Sequence, residues 1–276
     1  MKQTKSGFPA PLRSLCGVAV LFLAACGSPD ASSGRNEKGR TEGASLRMIT
    51  SFRINNLGPT DPRAFFLPEF GVAELPLRLE ADGQLRPWLL ESFERIDPRN
   101  WRLRLRPNVT FQNGRPLTAK AMAAAMNRQL EQCASAKATL PGAKVSTSGE
   151  RELTLTTAEP DATTPNALAD ELVFPIYDVD AVEAAGKDAS RLVGSGCFTG
   201  PYKVVSLDER EMRMTRHDQY WRGLPPLTSV SLRFVADGQA RILAAQNDEV
   251  DIALYPPSEA QRILAGRSDA FLKTSS

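Results

Sequence analysis

The chain has 276 residues, of which 42% are hydrophobic and 24% charged, enough for one large or two ordinary domains with real cores. Its formal charge of +2 is set by the extreme N-terminus. Lys2, Lys5 and Arg13 precede residue 26 with no acid among them, so of 34 basic side chains 31 remain against 32 acidic ones. A body with that slight acidic excess excludes the basic balance that a nucleic-acid partner requires.

The N-terminal segment reads as a targeting signal. Its positive charges lead into an apolar run from Leu15 to Ala25, too short to span a bilayer and proportioned like a signal-peptide core. The run ends in Leu23-Ala24-Ala25-Cys26-Gly27, and small residues directly ahead of a cysteine resemble a lipobox, in which Cys26 is diacylated and becomes the new N-terminus. An ordinary secretory signal with an incidental Cys26 is the alternative. Two or three acyl chains on one residue supply the several signals that stable membrane anchoring needs. Residues 27–46 hold almost no large apolar side chain, which predicts a flexible tether. Beyond the signal, Cys133 and Cys197 remain. Either they form one disulfide, contributing roughly 4 kcal/mol by loop closure, or they are unpaired core thiols, or a partner lies outside this chain.

Ordered structure is expected from about Arg47. Met48–Phe52 predicts a first strand, and Asn55 to Arg63 a turn-rich loop whose prolines discourage helix. Phe65, Phe66, Leu67 and Phe70 crowd into six positions, which by residue type is a core-facing cluster. Leu75–Leu79 and Gln84–Leu90 flank Ala81-Asp82-Gly83, a hairpin. Trp101, Leu103 and Leu105 alternate with Arg102, Arg104 and Arg106, the pattern of a strand with one solvated face rather than of a nucleic-acid ribbon. Asn113-Gly114 marks a tight turn, and Thr118 caps a helix with Met122, Met126 and Leu130 on one side. Cys133 to Gly149 reads as a loop, Leu153–Thr156 as a strand, Thr164–Leu168 as a helical turn opened by Pro165, and Leu172–Ile176 as a buried strand. Asp178 or Asp180 caps a helix ending at Gly186.

The stretch from Gly196 changes period. Val230, Leu232 and Phe234 alternate with Ser231 and Arg233, a strand signal. Asp237 then caps an Ala-rich helix over Gln239–Gln246, and Val250–Ala253 is the next strand. Strand, helix and strand in this order predict a crossover in an α/β lobe. Pro256–Leu264 reads as a further helix, and Phe271–Lys273 begins something strand-like.

TGPYKVV, a charged hairpin, RHDQYWRGLPPL and NDEVDIA, joined in that order, closely resemble the family 5 extracellular solute-binding proteins, the peptide, dipeptide and nickel receptors of bacterial ABC importers. The block from Ser92 to Arg128 resembles that family's second signature of two strands, a short F-x-x-G turn and a helix. Gln112 and Asn113 stand where His and Asp are common, and Lys120 and Ala121 where acids are common; these are read as surface substitutions. The resemblance implies an α/β fold of the periplasmic-binding-protein type II kind over residues 47–276, with mixed sheets, flanking helices and two lobes. Lobe I would comprise 47–74 and 191–276, with a smaller lobe inserted at 75–190. Members of the family are longer, so the chain reads as truncated before a third lobe.

The same resemblance implies the substrate-binding component of an ABC transporter, lipid-anchored in the periplasm or at the cell surface. It would be a monomer that captures a small peptide or other small solute for a permease complex. A non-transport interaction or sensory module is the alternative. In this reading Phe65 and Phe66 line the cleft, and Thr199 and Tyr202 of the TGPY turn are further ligand-binding candidates. No cofactor, metal or enzymatic activity is expected. His217 is the only histidine, which excludes an H-E-x-x-H zinc site, and without G-x-S-x-G a serine triad has no support. His217 itself is expected on an exposed hairpin. Asp178, Asp180, Asp248, Glu249 and Asp251 are expected as capping or solvated carboxylates.

Overall fold

Strand β1 (Ser45–Thr50) pairs in parallel on both sides, with β10 (Ser229–Phe234) at Met48↔Leu232 and with β11 (Ile252–Ala253) at Met48↔Ile252. Parallel neighbours need a crossover. Helix α5 (Gly238–Gln246) supplies it, and the Asp237 carboxylate caps it by accepting from the Ala240 N–H at 2.7 Å. The crossover anticipated from the change of period is therefore present. These are features of a computed structural model that describes residues 43–61, 66–260 and 262. The signal sequence with Cys26, the tether as far as residue 42, Phe65, the far end of the helix expected over Pro256–Leu264 and the strand-like Phe271–Lys273 lie outside the described residues.

Antiparallel strands β9 (Glu211–Arg216) and β8 (Tyr202–Leu207) complete a five-stranded sheet in the order β11-β1-β10-β9-β8. Val204, Met212, Met214, Val230 and Leu232 enter the main core, while Ile49 packs with Ala244 and Val250 in a second, smaller cluster with α5. The first strand begins earlier than its composition suggests, because Ser45 and Leu46 pair with Ser229 and Val230. A parallel partner overrides a polar local sequence there.

The second large sheet is antiparallel, in the order β4 (Leu90–Arg95), β5 (Asn100–Leu105), β7 (Glu152–Thr156) and β6 (Lys144–Thr147). Trp101, Leu103 and Leu105 are buried. On the other face Arg102 pairs with Glu94 at 3.1 Å, and Arg104 with Glu91 at 3.2 Å and Glu152 at 3.0 Å, so these two arginines are neutralised by their own sheet, while Arg106 donates to the carbonyls of Trp88 and Leu90. Helix α1 (Ala119–Gln132) is capped by Thr118, whose hydroxyl accepts from the Ala121 N–H at 3.1 Å, and it buries Met122 and Met126. Gln129 rather than Leu130 completes its buried face, donating to the Pro59 carbonyl at 2.8 Å. The expected hairpin is β2 (Leu77–Leu79) with β3 (Leu85–Pro87), turning through Gly83 at φ 76°.

Three expectations are corrected. The segment from Cys133 to Gly149 is not a loop: it holds α2 (Ala134–Thr139) and β6, whose single buried residue, Val145, leaves no periodic signal to read. Leu172–Ile176 is mostly buried but forms no strand, being fixed by the isolated bridges Glu74↔Ile176 and Tyr177↔Phe198 around it. Asp178 takes the N-cap position of α4 (Val179–Ala185), as expected, but its side chain makes no capping bond. It is buried against Arg115, which donates to both carboxylate oxygens at 2.9 Å, and against the Asn113 amide at 2.9 Å. Asp251 and Glu249 likewise take Arg47 and Arg233 as partners rather than water alone.

Cys133 and Cys197 are both buried free thiols, so the unpaired reading is the one this structure carries. Cys133 ends α1 and its thiol donates to the Leu172 carbonyl at 3.3 Å. Burial pushes the Cys197 thiol up to about 12, the behaviour of an inert core cysteine.

Candidate functional site

In a sheet with parallel strands and a crossover helix, the loops at the carboxyl ends of the strands diverge and leave a crevice. Here those loops begin at Ser51 after β1, Val235 after β10 and Leu254 after β11. Arg241, from the first turn of α5, ties the last two together. Only 4% exposed, its guanidinium donates to the carbonyls of Val235 at 2.8 Å, Ala236 at 2.8 Å and Tyr255 at 2.7 Å.

This edge presents aromatic rings and carboxylates. Phe52 stacks on Phe66 with centroids 3.7 Å apart, meets Tyr255 edge-on at 5.4 Å and approaches Phe70 at 6.5 Å. Tyr255 has a left-handed backbone, φ 49°, which costs a non-glycine residue roughly 1–2 kcal/mol. Its hydroxyl donates to the Glu69 carboxylate at 3.1 Å and 3.3 Å. Glu171 stands within electrostatic reach of Glu69 and Asp170. Burial, then those two like charges, raises its carboxyl to about 7. Among the described residues no basic side chain pairs with Glu69 or Glu171.

A carboxyl raised in the folded state stabilises the protein below its unfolded value of 4.5, and that stabilisation is lost as pH rises through about 7. Glu171→Gln is therefore expected to match the parent at pH 4.5 and to exceed it at pH 8. The gain should be roughly 1–2 kcal/mol after allowance for partial solvent screening. Thermal denaturation at the two pH values checks this.

Of the four residues expected at the ligand site, the three that are described, Phe66, Thr199 and Tyr202, do not lie in one place. Phe66 is at the carboxyl edge, and Phe65 is outside the described residues. Tyr202 opens β8 opposite Arg216, and the neighbouring pairs Thr215↔Ser229 and Ser45↔Ser229 put it at the amino end of the parallel strands. Thr199 is fully buried beside Glu74. Tyr255, Glu69, Glu171 and Arg241 were missed by sequence reasoning. They lie far apart along the chain, and none belongs to a motif that signals binding.

The TGPY turn instead belongs to a junction of backbone passages. The Gly200 N–H donates to Val72 O at 3.0 Å and the Tyr202 N–H to Gly71 O at 3.0 Å. Gln112, expected on the surface, is half-buried here. Its amide nitrogen donates to Val72 O at 3.1 Å, Gly200 O at 3.0 Å and Tyr202 O at 2.9 Å. His217 is a second correction, since it is 7% exposed rather than on an open hairpin. Its backbone N–H donates to Pro201 O at 2.8 Å, which fixes the residue against the turn, and burial holds the imidazole below the ordinary histidine range. Among the described residues no group of three or more His, Cys, Asp or Glu side chains is placed to hold a metal ion.

A part-parallel sheet with a crossover helix and a second antiparallel sheet place the fold in the type II periplasmic-binding-protein class. The family model described as "Bacterial extracellular solute-binding proteins, family 5 Middle" matches residues 84–271, and the chain belongs to that family. It is 26% identical to the nickel-binding protein NikA of Staphylococcus aureus over 253 residues, covering 89% of this chain and 46% of that protein. It is 25% identical to the glutathione-binding protein GsiB of Escherichia coli O1:K1, covering 90% and 47% respectively. The crystal structure of a nickel ABC transporter protein from Bacillus halodurans superposes with a TM-score of 0.71 at 27% identity, over 82% of this chain and 46% of that one. The chain thus spans about half the length of the curated relatives it matches.

Proposed function

We propose that the chain contributes one jaw of a substrate-binding protein of an ABC importer, and that the solute is a small peptide or a similar polar molecule with a cationic nitrogen. The observation that carries this reading is the convergence, in a family 5 chain, of Phe52, Phe66, Tyr255, Glu69 and Glu171 at the carboxyl edge of β1, β10 and β11. Carboxylates that no basic side chain among the described residues pairs with favour an ammonium group, and rings beside them offer cation–π faces. Relatives named for nickel and for glutathione support the importer role and leave the solute to this chain's own chemistry. A single jaw makes half of the contacts, so closure around the solute and tight binding would need the opposing lobe.

In the same reading residues 75–190 form the smaller lobe inserted between 47–74 and 191–276. Cys26 carries the lipid anchor, and residues 27–46 tether the body at the membrane. The family's description as extracellular supports that location.

The test is a thermal-shift titration at millimolar solute. Glycylglycine is expected to raise the melting temperature at pH 8 and N-acetyl-glycylglycine to leave it unchanged. The effect should fade as pH falls below about 7, where Glu171 becomes neutral. Equal shifts from both peptides, or none from either, would reject the cationic-solute reading.

A further inference from the structure

Glu74 is 5% exposed, and among the described residues it forms no ion pair. Neutral donors surround it instead: the Trp88 indole N–H at 2.9 Å, the Tyr220 hydroxyl at 2.6 Å and the Trp221 indole N–H at 3.0 Å. Burial raises its carboxyl above the usual range, while these donors pull the other way. The two indoles meet edge-on at 6.0 Å, and arginines lie over them: Arg222 at 4.1 Å and Arg78 at 4.9 Å on Trp88, and Arg106 at 5.3 Å on Trp221. Trp88 follows the hairpin of β2 and β3, whereas Tyr220 and Trp221 lie in the turn after β9. Glu74 itself ends the segment that begins at Phe66 and carries Glu69 along the candidate cleft.

We propose that Glu74 is a positioning residue for that cleft: its carboxylate clasps the hairpin to the β9 turn and so fixes the segment from Phe66 to Ala73. An ionised carboxylate offers two oxygens with about four acceptor sites, and it serves all three donors at once. A glutamine offers one oxygen and turns an NH2 toward N–H and O–H groups. The inference rests on the carboxyl edge being the solute site, but its test requires no solute.

Two of the three tryptophans are bonded to Glu74, and the third, Trp101, is buried with its indole N–H unbonded, so Trp101→Phe leaves an emission that reports on the clasp. In that background, acid titration of tryptophan fluorescence is expected to show a transition above the ordinary glutamate range, and Glu74→Gln to abolish it. In Glu74→Gln, amide exchange across residues 66–73 is expected to quicken about ten- to a hundred-fold, as loss of a charge-assisted hydrogen bond implies, with α1 unchanged. Should that variant not fold, Tyr220→Phe removes one donor and is expected to quicken the same segment to a smaller degree. A flat titration, unchanged exchange across 66–73, or an acceleration spread equally over α1 and β5 would overturn the proposal. Absence of a peptide-induced thermal shift, with the localised exchange result intact, would overturn the solute reading alone.

Discussion

Gly200→Ala is expected to prevent native folding. A Cβ at this position would lie 2.3 Å from the Gly71 carbonyl oxygen and 2.6 Å from that of Val72, closer than any real side-chain carbon approaches. Neither carbonyl can retreat, because the Gly200 and Tyr202 N–H groups bind them and the Gln112 amide also holds Val72 O. The loss should exceed about 4 kcal/mol, the range reserved for backbone clashes and broken buried networks. Gly114→Ala is the matched control. It has open space around the added carbon and a positive φ of 84°, and should lose only roughly 1–2 kcal/mol. Soluble yield and urea denaturation distinguish the two, and a Gly200→Ala protein as stable as the control would disprove the close approach.

The second large effect is expected from Gln112→Leu. The side chain is nearly isosteric, but it strips a donor from three carbonyls on two chain passages. Gly200 O and Tyr202 O would need new partners in a place that the backbone already fills. Val72 O keeps the Gly200 N–H, so a loss of about 2 kcal/mol follows from roughly 1 kcal/mol for each of the two carbonyls, Gly200 O and Tyr202 O, that lose the amide. Gln112→His retains a ring N–H and should recover part of the loss. Chemical denaturation of the three proteins ranks them, and a leucine variant within about 0.5 kcal/mol of the parent would show that the amide is dispensable.

Together these positions hold the backbone around the candidate site. Gly200 and Gln112 lock the backbone passages, Glu74 joins the hairpin to the β9 turn, and Arg241 gathers the loops after β10 and β11 at the carboxyl edge. Each acts through backbone carbonyls or neutral donors rather than through an exposed ion pair. Their geometry should therefore respond weakly to salt.

Local patterns were legible in the sequence. The alternation in β5 and β10, the capping residues Thr118 and Asp237 and the glycine of the β2–β3 hairpin each fix one element through neighbours within a few positions. The wording around the TGPY turn was enough for the family resemblance, and residues 84–271 match that family's model. Only the tertiary structure decided what polar side chains do. Gln112, Asp178 and His217 read as surface residues because nothing beside them in the chain requires burial. Each is drawn inward by a partner 40 or more positions away or by a turn folded over it. The candidate cleft is hidden from sequence for the same reason. Phe52, Glu69, Glu171 and Tyr255 become neighbours only when parallel pairing brings the carboxyl ends of β1, β10 and β11 to one edge, and sequence periodicity carries no information about pairing between distant strands.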